Sequence, residues 1–255
     1  MIIAKKLFFG LLVDSKTIKK NYLNQDIPIG FGMLFPIASI CSLTILHLFY
    51  PLDSIAYIFI LGLTSISFLG VLDDLLGNRE TSGLKGHIGK LLKLELTTGG
   101  LKAIMGMVIG IFVTMPFENN FIPLLLKASI IALFTNCINL LDLRPGRAIK
   151  GYLIYSFVVV LLFFRQQSIY LLVMITIIVI CYFPLDIKAK AMMGDAGSNA
   201  LGFTLGFFTV LYANFIMNLF IFLFLIIIHI IAEKSSITEI IEGNRILRFL
   251  DQLGR

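Results

Sequence analysis

Two adjacent carboxylates, Asp73 and Asp74, stand where a long apolar stretch of the sequence ends. The stretch, residues 54–72, carries no charge. As a helix it is long enough to cross the roughly 30 Å hydrocarbon core of a bilayer. Neighbouring anions repel each other and are stabilised by water or a cation. At the end of a membrane helix such a pair indicates a divalent metal or a metal-bound phosphate, and the alternative is a solvated helix end.

A second polar group closes a later apolar stretch. Asn136 and Asn139 fall on one helix face, which Asp142 continues by one turn. Arg144 precedes a proline and should therefore leave the helix, which would send its guanidinium and that of Arg147 out beside the acid. Guanidinium groups suit bidentate contacts with phosphate, and ordinary topogenic arginines at a helix end are the alternative.

A third group, in the segment MGDAGSN, opens another apolar stretch. Its glycines, including Gly197 next to Ser198, let backbone N–H groups approach a ligand closely, and a helix start favours phosphate. Asp195 in the same turn would hold the metal that neutralises the phosphate. The following small residues Gly202 and Gly206 also permit tight helix packing, which is a structural role.

The composition identifies the environment in which these groups work. Hydrophobic residues make up 58% of the 255-residue chain and charged residues 14%. Soluble domains carry about 25% charged residues, so the chain is predicted to be a polytopic membrane protein. Its three cysteines stand singly in apolar stretches, which argues against a disulfide framework or a zinc site. We expect the net charge of +6 to serve membrane lipids and anionic substrates, not nucleic acid.

We predict an all-α, polytopic integral membrane helical bundle of about eight spans, with a short N-terminal helix near the interface. The predicted spans lie near 29–50, 54–72, 100–117, 121–141, 150–164, 168–185, 198–212 and 214–232. Short and long links alternate, so the long ones share one membrane face. Fifteen Lys and Arg residues lie in the long segments and Arg165 alone in the short ones, which predicts a cytosolic location for the long segments.

The chain divides into a single membrane domain, residues 1–232, and a cytosolic tail, residues 233–255. Apolar residues at helical spacing in the tail, with charged residues between them, predict an amphipathic helix on the membrane surface that Gly243 weakens. His87, in a long polar segment, is a further candidate site residue.

The segments VLDDLLG, NCINLLDLRPG and MGDAGSNALG, in that order and on one predicted face, resemble the polyprenyl-phosphate N-acetylhexosamine-1-phosphate transferases. The resemblance covers roughly residues 27–202 and includes the proline- and glycine-containing entry IPIGFG. It implies transfer of a sugar-1-phosphate from a UDP-sugar to a polyprenyl phosphate, on the cytosolic face of a bacterial plasma membrane, with release of UMP. It also implies a Mg²⁺ cofactor, with Mn²⁺ as a substitute, and leaves room for a homodimer.

By the resemblance, Asp73 and Asp74 match the aspartate pair of the family and Asp195 its magnesium ligand. Asn139 and Asp142 match the Asn and first Asp of another motif. We therefore expect Asp73, Asp74 and Asp142 to be catalytic, and Asp195 with one acid of the pair, taken as Asp74, to hold the metal. Asn139, Gly197 and Ser198 are expected to contact substrate.

Two departures from the family pattern stand out. Where the second acid of the Asp-Gly-Leu-Asp-Gly pattern is expected, this chain has Pro145, and the histidine cluster of the last cytosolic loop is replaced by the tail. Arg144, Arg147 and His87 would then contact the departing phosphates. The departures favour a second hypothesis, a non-catalytic lipid-phosphate-binding scaffold or regulator of envelope polymer assembly. A secondary transporter ranks last, because transporters place ionisable groups near the midplane and show repeats.

Overall fold

The computed structural model describes residues 2–77 and 97–254, and His87 lies outside the described residues. The described helices are α1 (Ile2–Asp14), α2 (Leu34–His47), α3 (Ser54–Leu76), α4 (Thr98–Thr114), α5 (Phe121–Leu141), α6 (Arg147–Phe163), α7 (Ile169–Ile187), α8 (Gly194–Tyr212), α9 (Phe215–Lys234), α10 (Ile237–Gly243) and α11 (Arg245–Gln252). Two strands, β1 (Ile18–Lys20) and β2 (Asp26–Pro28), pair antiparallel, and 3₁₀ turns occupy Phe31–Met33 and Met115–Phe117.

Within the described residues, five helices are long and apolar enough to cross a membrane: α3, α4 with its 3₁₀ extension, α5, α7 and α9. This confirms the predicted all-α membrane bundle. The other three predicted spans correspond to α2, α6 and α8. The first two have 14 and 17 residues, fewer than the roughly 20 that a span usually needs. The third is less apolar, because it contains glycines and polar side chains.

Helix α8 lies at the centre of the bundle and packs most extensively against α5 and α3. Nearly all of its side chains are buried. A Cβ added at Gly202 would run into the backbone of Phe134 and Thr135, and one at Gly206 would come within 2.7 Å of Ile131 Cα. The absence of side chains at these positions therefore lets α5 and α8 approach closely, as the small residues predicted.

A short hairpin precedes the bundle and is joined to the start of α8. Strand β1 pairs with β2 so that Ile18 lies opposite Pro28. The N–H of Met192 donates to the Pro28 carbonyl at 2.8 Å, and the N–H of Gly32 donates to the Met193 carbonyl at 3.0 Å. These bonds bring the entry to α2 and the entry to α8 together at one end of the bundle.

The tail forms two short helices, α10 and α11, where the sequence predicted one. Helix α10 ends at Gly243, and the Asn244 side chain then accepts hydrogen bonds from the N–H groups of Ile246 and Leu247. A residue that caps the next helix ends the previous one, because its own backbone is extended and not helical. The weakness predicted at Gly243 is thus a break.

Candidate active site

The three acid-bearing segments meet at one end of the bundle. Asp73 and Asp74 lie in the last turn of α3, Asn139 in the last turn of α5, and Asp195 in the first turn of α8. Gly70 lies directly against the backbone of Asp195, so the end of α3 reaches the start of α8. The convergence expected from the alternation of short and long links is therefore present.

Lys102, in the first turns of α4, stands between two of the acids. Its Nζ lies 2.6 Å from Asp195 Oδ2 and 3.6 Å from Asp73 Oδ2, and its side chain is 15% exposed. This lysine was not among the site residues predicted from the sequence. The signal that could have found it is a cation placed inside an otherwise apolar predicted span, residues 100–117, on the side where the acids lie.

The Asn139 amide links Lys102 to α8. With its oxygen accepting from Lys102 Nζ at 2.9 Å, its nitrogen donates to Ser198 Oγ at 2.9 Å and to Asp195 Oδ1 at 3.2 Å. This orientation gives each amide atom a complementary partner. Ser198 is fully buried, so in this structure it positions Asn139 and does not face a substrate. Asn136, the other predicted amide, is exposed.

Asp74 faces the N-terminus of α8. Its Oδ2 accepts a hydrogen bond from the Ala196 N–H at 3.2 Å. Gly194, which precedes Asp195, has φ +68°, and a Cβ there would lie 2.5 Å from Asp74 Oδ2. Glycine is therefore required twice over, by the left-handed backbone and by the carboxylate. Gly197 instead touches the backbone of Gly32, which gives it a packing role.

A cavity of about 250 Å³ opens beside these groups. Its lining combines acids from three helix ends and one loop with cations from the N-terminal hairpin and the 142–146 loop. The charged lining residues are Lys19, Lys20, Asp74, Asp142, Arg144, Asp186 and Asp195. Of these, Asp74, Asp142, Arg144 and Asp195 are residues that the sequence motifs predicted for the site. Asp186, Lys19 and Lys20 were not predicted, because no motif in the sequence around them marks a site residue.

Asp142 and Asp186 both contribute carboxylates to the cavity lining. Asp186 is 5% exposed, and it accepts hydrogen bonds from the Gly146 N–H at 2.7 Å and the Tyr182 hydroxyl at 3.2 Å. Burial raises the pKa of Asp142 well above its ordinary value, and the nearby charge of Asp186 raises it further. A cation or a metal-bound ligand in the cavity would relieve this repulsion.

The two predicted arginines are separated. Arg144 lines the cavity, whereas Arg147 is 5% exposed and bonds to Asp251 of the tail through Nε at 2.8 Å and Nη2 at 3.1 Å. Its Nη1 donates to Thr238 Oγ1 at 3.0 Å. In this conformation the Arg147 fork contacts protein, so the predicted phosphate contact of Arg147 has no support from the geometry.

The described carboxylates of the site are suited to a divalent metal, although they are not arranged as a complete set of ligands. Among residues 2–77 and 97–254, no three acidic, histidine or cysteine side chains already converge as a metal-binding group. The donor chemistry is suitable, since Asp74 and Asp195 both line the cavity with carboxylate oxygens, the ligands that Mg²⁺ and Mn²⁺ favour. One Asp195 oxygen contacts Lys102, which would share this carboxylate with a bound metal.

Fold and site together define a multi-pass membrane protein in which carboxylates and basic side chains lie side by side at one end of a helical bundle. A family model described as Glycosyl transferase family 4 matches residues 56–213, which is more than half of the chain. The chain therefore belongs to this family, the polyprenyl-phosphate sugar-1-phosphate transferases, and the resemblance seen in its motifs is confirmed. No curated protein matches the chain. The matched residues include both Asp73 and Asp195, whereas the N-terminal hairpin and the tail lie outside the match.

Proposed function

We propose that this protein transfers a sugar-1-phosphate, N-acetylhexosamine-1-phosphate in particular, from a UDP-sugar to a polyprenyl phosphate and releases UMP. Family membership supports sugar-phosphate transfer to a polyprenyl phosphate. The observation that carries the finer proposal is the meeting of Asp74, Asp195 and Lys102 at the edge of a membrane bundle, beside a cavity that Lys19, Lys20 and Arg144 also line.

In the proposed reaction an oxygen of the lipid phosphate attacks the sugar-bearing phosphorus of the UDP-sugar. A new P–O bond forms to the lipid, and the bond to the bridging oxygen breaks, so that UMP leaves with that oxygen. A phosphate monoester is largely dianionic at pH 7, so the attacking group needs little base catalysis. The harder task is to bring this anion against a diphosphate, which calls for fixed positive charge.

The residues of this chain have distinct roles in the proposal. Lys102 supplies a cation that is already held by Asp195 and Asp73, so little reorganisation is needed when an anionic phosphate arrives. Arg144 supplies a second cation in the cavity lining. Asp74 and Asp195 would hold Mg²⁺, or Mn²⁺ in its place, and the metal would neutralise diphosphate charge when bound. Asp142 would position the ligand beside Arg144.

The proposed location is the cytosolic face of a bacterial plasma membrane. A polyprenyl tail can remain in the bilayer along the exposed apolar helix faces, while a soluble nucleotide sugar reaches the cavity from water. The concentration of Lys and Arg in the long segments supports this orientation. The homodimer remains a prediction.

To test the proposal, purified full-length protein is incubated with polyprenyl phosphate, Mg²⁺ and each of a panel of labelled UDP-sugars. A chloroform-soluble labelled product together with released UMP is the expected result, and Asp195→Asn is the inactive control. Absence of a lipid-linked product with every sugar, from protein that still binds polyprenyl phosphate, would contradict the transferase.

That second outcome would fit a non-catalytic scaffold that binds lipid phosphate. One observation favours this alternative: Lys102 already neutralises Asp195, so the acidic site is partly charge-balanced without a metal. Binding of polyprenyl phosphate that is unaffected by Mg²⁺ and by UDP-sugar would support the scaffold.

A further inference from the structure

The N-terminal hairpin forms one wall of the cavity, although it lies outside the family match. Lys19 and Lys20 of β1, together with Tyr22 of the turn, line the same cavity as Asp74 and Asp195. The family match begins at residue 56, so these three side chains are contributed by a part of the chain to which the match assigns no role.

The hairpin is held in place by a buried amide. Asn21 is 8% exposed, and its Nδ2 donates to the Ala189 carbonyl at 3.3 Å. Its Oδ1 accepts from the N–H groups of Leu23 at 2.9 Å and Gln25 at 3.0 Å. The turn that carries Tyr22 is therefore fixed to the segment just before α8. This attachment holds the side chains of Lys19, Lys20 and Tyr22 at the cavity.

Tyr22 supplies an aromatic surface beside a cation. The Arg144 guanidinium lies 5.8 Å from the centroid of the Tyr22 ring, a cation–π distance, and both side chains line the cavity. Tyr22 is 52% exposed, so much of its ring is open to a ligand. Aromatic rings of this kind stack on nucleobases with little regard to base identity, because every base has a π-face.

The cavity lining carries exposed cations as well as carboxylates. Lys19 and Lys20 are exposed on the hairpin and Arg144 lies beside Tyr22, whereas Asp186 is buried. A ligand that combines an aromatic base with two phosphates fits this part of the lining, since the phosphates meet the cations and the base meets the ring. An anionic lipid head group would use the lysines without needing an aromatic surface.

We propose that the hairpin is the nucleotide-recognition element of this protein, in which the base of a nucleoside diphosphate stacks on Tyr22 and its phosphates contact Lys19, Lys20 and Arg144. The inference rests on the proposed function, since it names the substrate-binding part of that site. It goes further by assigning nucleotide affinity to residues outside the matched family segment.

The experiment measures equilibrium binding of UDP and of inorganic pyrophosphate to the full-length protein in phosphatidylcholine nanodiscs, without polyprenyl phosphate. Tyr22→Ala is expected to raise the Kd for UDP about tenfold and leave the Kd for pyrophosphate unchanged, because stacking on the base alone is lost. Tyr22→Phe should bind UDP like the wild type. The double variant Lys19→Ala/Lys20→Ala should weaken both ligands about tenfold.

A matched control removes the same charge from the same end of the molecule. Lys188 and Lys190 are exposed and lie outside the cavity lining, so Lys188→Ala/Lys190→Ala should bind UDP as the wild type does. An equal loss of affinity in this control would overturn the proposal, because a general field effect would then explain the lysines. Wild-type protein that does not bind UDP, or Tyr22→Ala with unchanged affinity, would also overturn it.

The binding assay separates this inference from the proposed reaction. Protein that binds UDP with the expected dependence on the hairpin but transfers no sugar would retain the inference and contradict the transferase. If transfer is observed, the Tyr22→Ala and double-lysine variants should raise KM for the UDP-sugar and leave KM for polyprenyl phosphate unchanged. Active variants with an unchanged KM for the UDP-sugar would overturn the hairpin assignment and leave the transferase standing.

Discussion

Asp73 and Asp74 are neighbours in sequence but have different environments. Successive side chains of a helix point about 100° apart, so the two carboxylates cannot face one partner equally. Asp73 is directed towards Lys102, with 3.6 Å between Oδ2 and Nζ, whereas Asp74 bonds to the start of α8 and lines the cavity. The structure thus gives the pair two roles, one that positions a cation and one that meets the ligand.

Asp74→Asn should therefore be more severe than Asp73→Asn. We expect Asp74→Asn to lower kcat by two or more orders of magnitude, because an amide in the cavity cannot hold a hard cation. Asp73→Asn should cost roughly tenfold, since Lys102 keeps its closer partner Asp195. The measurement is steady-state transfer with both substrates varied. Equal and mild losses in both variants would indicate that the pair is a solvated helix end.

Asp195→Asn should abolish transfer and Mg²⁺-dependent substrate binding while leaving expression intact. The amide keeps the shape of the carboxylate but loses the charge that a metal and Lys102 both require. Activity and Mg²⁺ titration of purified protein measure the effect. Asp14→Asn, at the exposed end of α1, is the control for loss of one carboxylate. Near-normal activity of Asp195→Asn would remove this residue from the metal site.

Lys102→Met should reduce transfer by at least a hundredfold, because the apolar replacement removes a fixed cation beside the reacting phosphates. It also leaves Asp73 and Asp195 close together without their shared partner, so tighter Mg²⁺ binding is expected alongside the loss of rate. Parallel measurement of kcat and of the Mg²⁺ concentration for half-maximal binding tests both effects. Unchanged kcat would contradict a role for Lys102 in the reaction.

At the scale of elements, the tail is attached to the bundle through α6. Arg147 pairs with Asp251 in a buried bidentate contact, and Lys150 Nζ donates to the carbonyls of Leu250 at 2.9 Å and Asp251 at 2.6 Å. Helix α6 begins directly after the loop that carries Asp142 and Arg144. The tail therefore braces the element from which this wall of the cavity extends.

Arg147→Lys should lower the melting temperature with little change in KM for the UDP-sugar. Arg144→Lys should raise KM for the UDP-sugar with little change in the melting temperature. The reason is that lysine cannot reproduce the bidentate contact with Asp251. The variant Asp251→Asn should lower the free energy of unfolding by on the order of 3 kcal/mol, because it leaves the buried Arg147 guanidinium without its anionic partner. The chain contains no Trp, so unfolding is best followed with a thiol-reactive dye on the partly buried Cys137 and Cys181.

The same two lysine variants can contradict the structural role of Arg147. If Arg147→Lys raised KM for the UDP-sugar with an unchanged melting temperature, Arg147 would be a phosphate ligand, as the sequence predicted. Partial recovery of stability in Arg147→Asp/Asp251→Arg, relative to either single change, would support the direct contact.

The sequence predicted the helix ends that meet at the site better than the contacts within it. Apolar length and the alternation of long and short links determine which ends share a face, so Asp73, Asp142 and Asp195 could be grouped in advance. The partner of a charged residue is not a local property. Lys102 and Asp195 are 93 positions apart, and Arg147 and Asp251 are 104 apart. Such pairs depend on helix packing, which no short pattern in the sequence encodes.

At the scale of the whole molecule, charge distribution and site position agree. Every described site residue lies at the end of the bundle that carries the long segments, whereas the short links are nearly free of Lys and Arg. A substrate with a lipid tail and a soluble donor requires one face where membrane and water are both accessible. Whether that face meets the cytosol or the outside of the cell can be measured directly.

We expect the site end to face the cytosol when the protein is produced in a bacterium. The design replaces Cys41, Cys137 and Cys181 with alanine and adds one cysteine at a time, as Tyr50→Cys in a short link or Lys188→Cys at the site end. Both positions are exposed. A membrane-impermeant maleimide should label Tyr50→Cys in intact cells and Lys188→Cys after permeabilisation alone, because positively charged segments are retained in the cytosol. Labelling of Lys188→Cys in intact cells would place the cavity on the outer face, away from nucleotide sugars, and would contradict the proposed reaction as well as the topology.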